Sequence, residues 1–256
     1  MKRNQSINVI TRVRVAISVT LGVGLVLGVQ GQTAVPTAFA TSSPLAAAGG
    51  SSTANVFSSA NRTVQFQIAA SELSYFTVNT PLKAINFRAT SQATPLFQAD
   101  SFADWTLTFA QARNAVGSMS ATFANNMLDP VVVRTGGLSL PANAYPGNAV
   151  APAVNPWGFE IKFTTPYIYK GGDLVIMLSH TPSTSTSSIV LDSFSPPNAA
   201  GYGTKYQALS ATSYNATTAS NLGAAFPAMQ IVPEPASMAA IGLGIAGLMR
   251  RRKRTA

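Results

Sequence analysis

Residues 62–68 read RTVQFQI, and inside this run Val64-Gln65-Phe66-Gln67-Ile68 alternates apolar with polar side chains. Successive side chains of a strand leave on opposite faces, so the pattern predicts a strand with one face buried and the other wet. Nine more runs of this kind follow: Ala84 to Arg88, Trp105 to Phe109, Met119 to Phe123, Val131 to Arg134, Gly158 to Phe163, Leu174 to Ser179, Ile189 to Phe194, Lys205 to Leu209 and Met229 to Val232. Turn chemistry separates many of them, at Asp129-Pro130, Gly136-Gly137, Pro146-Gly147, Gly171-Gly172-Asp173 and Pro196-Pro197-Asn198. Without long helical periodicity between the runs, the spacing predicts an all-β body, an antiparallel sandwich or jelly roll, over any βαβ arrangement.

Working outward, residues 41–60 (TSSPLAAAGGSSTANVFSSA) are small and polar without periodicity and are expected to form a flexible lead, with order starting near Thr63. The body then spans 61–232, about 170 residues, long enough to bury about two-thirds of its unfolded surface. The absence of cysteine fits such a core, which needs no disulfide even in an exported protein.

The chain of 256 residues carries a formal charge of +9, but the excess lies at its ends. Lys2, Arg3, Arg12 and Arg14 stand at one terminus and Arg250, Arg251, Arg252, Lys253 and Arg254 at the other, while residues 41–235 hold eight basic and eight acidic side chains. A surface that tracks phosphates needs clustered cations, so a nucleic-acid partner is rejected.

Both ends are membrane signals. Four cations in residues 1–14 precede an uncharged, largely apolar stretch at 15–29 (VAISVTLGVGLVLGV), and Ala38-Phe39-Ala40 follows. That is the layout of a secretory signal peptide over 1–40, with Ala38 and Ala40 as the small residues that suit signal peptidase. Fifteen helical residues reach about 22 Å, short of a hydrocarbon core of about 30 Å, which favours cleavage over a permanent anchor. At the far end, residues 233–256 begin with Pro233-Glu234-Pro235, continue as the apolar segment 236–249 (ASMAAIGLGIAGLM) and close on RRRKR at 250–254. The prolines press Val232 and Glu234 towards extended geometry, so any helix begins after Pro235. The basic tail resists translocation and stays cytoplasmic, which places the body outside. The expected architecture is therefore an all-β body flanked by an N-terminal signal helix and a C-terminal transmembrane helix.

In its order of motif, apolar segment and basic tail, the C-terminal region resembles the PEP-CTERM sorting signal, with Val232-Pro233-Glu234-Pro235-Ala236-Ser237 as the motif. The resemblance implies recognition and removal of the tail by an exosortase, a multi-spanning membrane cysteine transpeptidase of Gram-negative bacteria. It further implies a transient stay in the inner membrane and delivery to the envelope, outer surface or extracellular matrix, near exopolysaccharide and biofilm material. The body is similar to an uncharacterised ectodomain common among such proteins, through Arg62 to Leu73, Ser118 to Asn126, Gly136 to Leu140 and Phe159 to Leu178. It departs from that pattern after Asn125-Asn126, where Met127-Leu128-Asp129 replaces an acid-rich loop.

The body offers little chemistry. His180 is the one histidine, expected at the surface or as a cap; with no cysteine, His-rich and thiolate metal sites are excluded, and no Gly-x-Ser-x-Gly elbow accompanies it. No metal or other cofactor is implied, and Asp100, Asp104, Asp129 and Asp192 are expected on solvated loops rather than around a calcium ion. The reading is a non-enzymatic exported protein, without catalytic residues. Two alternatives remain: a carbohydrate-binding module using Trp157 with Tyr167 and Tyr169, which share a face if extended, and a glycoside hydrolase using two converging acids. Trp105, alternating with Leu107 and Phe109, is expected in the core.

Overall fold

A computed structural model describes residues 33–37, 40, 50–53, 55–90, 98–147, 153–186, 188–196 and 199–234. The body is all-β, built from antiparallel sheets, with short 3-10 turns at Ala70–Leu73 and Phe123–Asn126 among the described residues. The described residues form fourteen strands in chain order: β1 (Thr33–Val35), β2 (Gly50–Thr53), β3 (Arg62–Ile68), β4 (Pro81–Phe87), β5 (Asp100–Phe102), β6 (Trp105–Ala112), β7 (Met127–Arg134), β8 (Leu138–Leu140), β9 (Ile161–Ile168), β10 (Leu174–His180), β11 (Leu191–Phe194), β12 (Tyr206–Ala211), β13 (Phe226–Pro227) and β14 (Met229–Pro233). A five-stranded sheet runs β12-β3-β10-β6-β7 and a four-stranded sheet runs β1-β14-β4-β9. One apolar cluster joins them: the Phe109 ring of β6 lies 5.0 Å from Phe163 and 5.6 Å from Tyr167, both on β9. Trp105 is fully buried, as its alternation predicts, and its indole N–H donates to the Val56 carbonyl at 3.3 Å.

The run that opens the sequence argument is a strand, but not a half-wet one. Gln65 and Gln67 are as buried as Val64, Phe66 and Ile68. β3 sits between β12 and β10, and residues 113–126 lie across the outer face of its sheet. The expected strand Met119 to Phe123 is part of that covering loop, ending in the turn Phe123–Asn126. Its amide groups replace water: Gln65 donates to the Phe123 carbonyl at 3.0 Å, Asn126 donates to Gln65 Oε1 at 2.7 Å, and Gln67 donates to the Asn114 carbonyl. A buried amide is tolerated when its hydrogen bonds are made, so alternation here records two different kinds of interior. Phe123, Leu209 and Ala211, with Met119 and Met177, form a second small core under this cover.

Segment 41–60, expected as a flexible lead, contributes structure instead. Its residues 50–53 form β2, which pairs with β11, and Val56 and Phe57 are fully buried. β1 lies inside the 1–40 stretch expected to be cut away, pairing Thr33↔Ile231, Ala34↔Gln230 and Val35↔Met229. Just beyond it, the Thr37 backbone N–H and hydroxyl donate to Glu72 Oε2 at 2.7 and 2.9 Å. The Asp129-Pro130 pair does not end a strand. Asp129 takes a left-handed φ of 47° within β7, an edge strand where the missing proline N–H is tolerated. No helix among the described residues is long and apolar enough to cross a membrane. Residues 15–29 and 236–249, where the flanking helices are expected, lie outside the described residues.

Candidate functional site

β14 carries the chain to its C-terminal signal. Met229, Ile231 and Val232 are buried between β1 and β4, and the register slips between Val232 and Pro233. Proline supplies no N–H to a ladder, so an irregularity at Pro233 is its expected cost. The sheet nevertheless holds one residue more: the Glu234 N–H donates to the Pro81 carbonyl at 2.8 Å, while its side chain is exposed. The motif thus starts inside the last strand, extended as the two prolines require, and presents a carboxylate to solvent at the sheet's end. Extended backbone with a protruding side chain is the form in which a peptide is gripped along its main chain. Pro235 and the basic residues Arg250, Arg251, Arg252, Lys253 and Arg254 lie outside the described residues, as does Ala38; Ala40 is described and exposed.

The aromatic residues named as sugar contacts are not brought together at the surface. Tyr167 and Tyr169 do share a face, but it is the inner one, leaving them 2% and 4% exposed. Burial pushes the Tyr167 phenol up to about 12, and the Tyr169 hydroxyl donates to the Gly172 carbonyl at 2.8 Å. Trp157 is half-buried and packs against the core, with the Arg88 guanidinium 5.1 Å from its ring centre. One face of the indole is therefore taken from within. Trp157→Ala is expected to leave retention on the host's polysaccharide unchanged in a pull-down, while lowering the melting midpoint by a few degrees through the lost cation–π contact.

The acids are occupied structurally. Arg88 Nε and Asp192 Oδ2 form a fully buried pair at 2.8 Å, contrary to the solvated loop expected for Asp192. Asp100, likewise expected in solvent, is buried, and its Oδ1 accepts the backbone N–H groups of Ser101 and Ser185 at 2.7 and 3.0 Å. Asp129 pairs with Lys170 at 3.0 Å on the surface, Asp173 accepts the Ala70 N–H at 2.8 Å, and Asp104 accepts the Thr106 hydroxyl at 3.0 Å. Among the described residues no three His, Cys, Asp or Glu side chains gather where one metal ion could bind them.

His180 is buried rather than exposed. Its Nδ1 faces the Thr181 carbonyl at 2.7 Å and Nε2 the Asn55 carbonyl at 3.3 Å. Desolvation lowers its pKa below the ordinary value near 6.5, although both carbonyls favour the charged form. Unfolded chain therefore takes up a proton at about pH 6.5 that the folded chain refuses, so stability is lost as pH falls through that value. Denaturant midpoints at about pH 7.5 and about pH 5.5 should show the drop, and His180→Gln should flatten it. Glu72 adds a second loss at lower pH: burial alone would raise its carboxyl, but the Thr37 donors and Lys205, 3.1 Å away, hold it below the usual range. Its contribution is present above the unfolded carboxylate pKa and disappears on acidification through the folded one.

Comparison with curated proteins and with solved structures gives no match. A family model for the PEP-CTERM protein-sorting motif matches residues 232–254, the segment that begins at Val232 in β14 and runs to the last arginine. Such a motif implies recognition by an exosortase and export to the cell envelope or surface. The chain carries a PEP-CTERM sorting motif joined without a break to the last strand of a β-rich body.

Proposed function

We propose that the chain is a non-enzymatic surface or extracellular-matrix protein of an exopolysaccharide-bearing cell. An N-terminal signal peptide delivers it, the C-terminal segment holds it briefly in the inner membrane, and exosortase releases or transfers it at Pro233-Glu234-Pro235. The observation that supports this most is the junction itself. An exposed glutamate on extended backbone stands one residue ahead of an apolar segment and a block of five cations. Glu234→Ala, expressed beside the wild type in an exosortase-bearing host, is expected to accumulate as unprocessed, membrane-associated chain. Intact-mass and fractionation measurements read both properties; identical mass and location for the two proteins would remove the reading. The carbohydrate alternative is left with a single half-buried indole, and the hydrolase alternative with acids of which Asp100, Asp104, Asp129, Asp173, Asp192 and Glu72 already make the bonds described above.

A further inference from the structure

We propose that the end of the body bearing Tyr75, Val78 and Ile168 is a membrane-resting surface, seated on the lipid bilayer while the C-terminal segment is still attached. The proposal rests on the reading that residues 236–249 enter the membrane, and it adds which face of the body is turned towards the lipid.

Glu234 is bonded to Pro81 at the sheet's end, and only Pro235 separates it from Ala236, the first residue of the apolar segment. One residue of fully extended chain spans at most about 3.6 Å. The sheet therefore cannot stand off from the point where the apolar segment enters the lipid. β1 runs antiparallel to β14 with Thr33 opposite Ile231 and Val35 opposite Met229, so Thr33 lies on the Pro233 side of β1. The apolar stretch 15–29 ends four residues before Thr33, and both hydrophobic stretches of the chain join the body on this side.

Ile168 is the register partner of Pro81, and the loop 74–80 is tied to the same place by Asn79 N–H to the Tyr169 carbonyl at 2.7 Å and Tyr169 N–H to the Thr80 carbonyl at 3.0 Å. Val78 leans over Gly171, in the turn that follows β9. Tyr75, Val78 and Ile168 are 63%, 59% and 44% exposed. These are three of the six large apolar side chains exposed among the described residues, gathered where the chain turns to the membrane. Aliphatic groups beside a tyrosine suit the interface, where the ring's apolar body meets acyl chains and its hydroxyl stays wet.

The chain has no cysteine, so single labels are clean. Full chain carrying Val78→Cys, Ile168→Cys or Thr135→Cys would be labelled with bimane and reconstituted into 3:1 phosphatidylethanolamine–phosphatidylglycerol vesicles doped with headgroup-proximal nitroxide lipid. Thr135 is exposed and lies near Trp105 and His180, at the opposite end of the larger sheet. Labels at Val78 and Ile168 are expected to be quenched several-fold more than the label at Thr135. If the protein floats with the vesicles and all three labels are quenched equally or not at all, the orientation is overturned, and the patch is left for a protein partner. If it fails to float, membrane entry by 236–249 has failed, and this proposal falls with it.

Discussion

Arg88→Met is expected to lower the stability of the body by about 3–5 kcal/mol, the range for removing one partner of a buried ion pair. Arg88 and Asp192 are 1% and 0% exposed at their side chains, so the carboxylate would lose its buried cation without gaining solvent. Loss of the guanidinium also strips the inner face of Trp157. The pair is braced by main chain, with the Asp192 N–H donating to the Arg88 carbonyl at 3.0 Å and the Ala228 N–H to the Asp192 carbonyl at 2.7 Å, so the site has little room to collapse. Urea unfolding should show a much earlier midpoint with an unchanged slope. The double variant Arg88→Met/Asp192→Leu, which removes both charges, is expected to recover most of the loss. A double variant as weak as the single one would mean that packing, rather than the uncompensated charge, dominates.

Phe57→Ala is expected to cost about 3–5 kcal/mol, a large-to-small change at a site with no exposure. The Phe57 ring lies 5.0 Å from Tyr145, 5.6 Å from Phe87, 6.2 Å from Phe102 and 6.4 Å from Trp105, so its removal empties the meeting point of four aromatic side chains. A loss of that size shifts the thermal midpoint by roughly 6–20 °C in a domain of this length. Calorimetry of the variant reads the shift directly; a change under about 1 kcal/mol would show that residues 50–57 are an adornment rather than part of the core.

Phe57 also marks where sequence reasoning stopped. Alternation located strands such as β6, which repeats the two-residue period over enough residues to be seen, while β10 was marked by a short continuous apolar run bounded by turn residues. Phe57 and its neighbour Val56 stand among serines, alanines and asparagines, and two adjacent apolar residues produce no period. β5, β8 and β13 have only two or three residues each, too few to alternate. Gln65 and Gln67 misled for a different reason: polarity in a strand registers the need for hydrogen bonds, not for water, and here Asn126 and the Phe123 carbonyl serve both ends of the Gln65 amide while the Asn114 carbonyl takes the Gln67 nitrogen. Arg88 and Asp192 stand 104 positions apart, so nothing local announces their pairing. The sorting motif was legible because it acts as a linear signal, whereas its position at the end of a sheet belongs to tertiary structure.

The β1–β14 pairing links the fates of the two termini. A scission after Ala40 cuts the covalent tether of Thr33–Val35 to the body and leaves Glu72 to lose both Thr37 donors if the short strand departs. Met229 to Ile231 would then become a rim, with main-chain groups open to any strand that docks alongside. Under the proposed function, the order of the two scissions would decide whether the segment leading to Pro233 meets its processing enzyme flanked on both sides or on one.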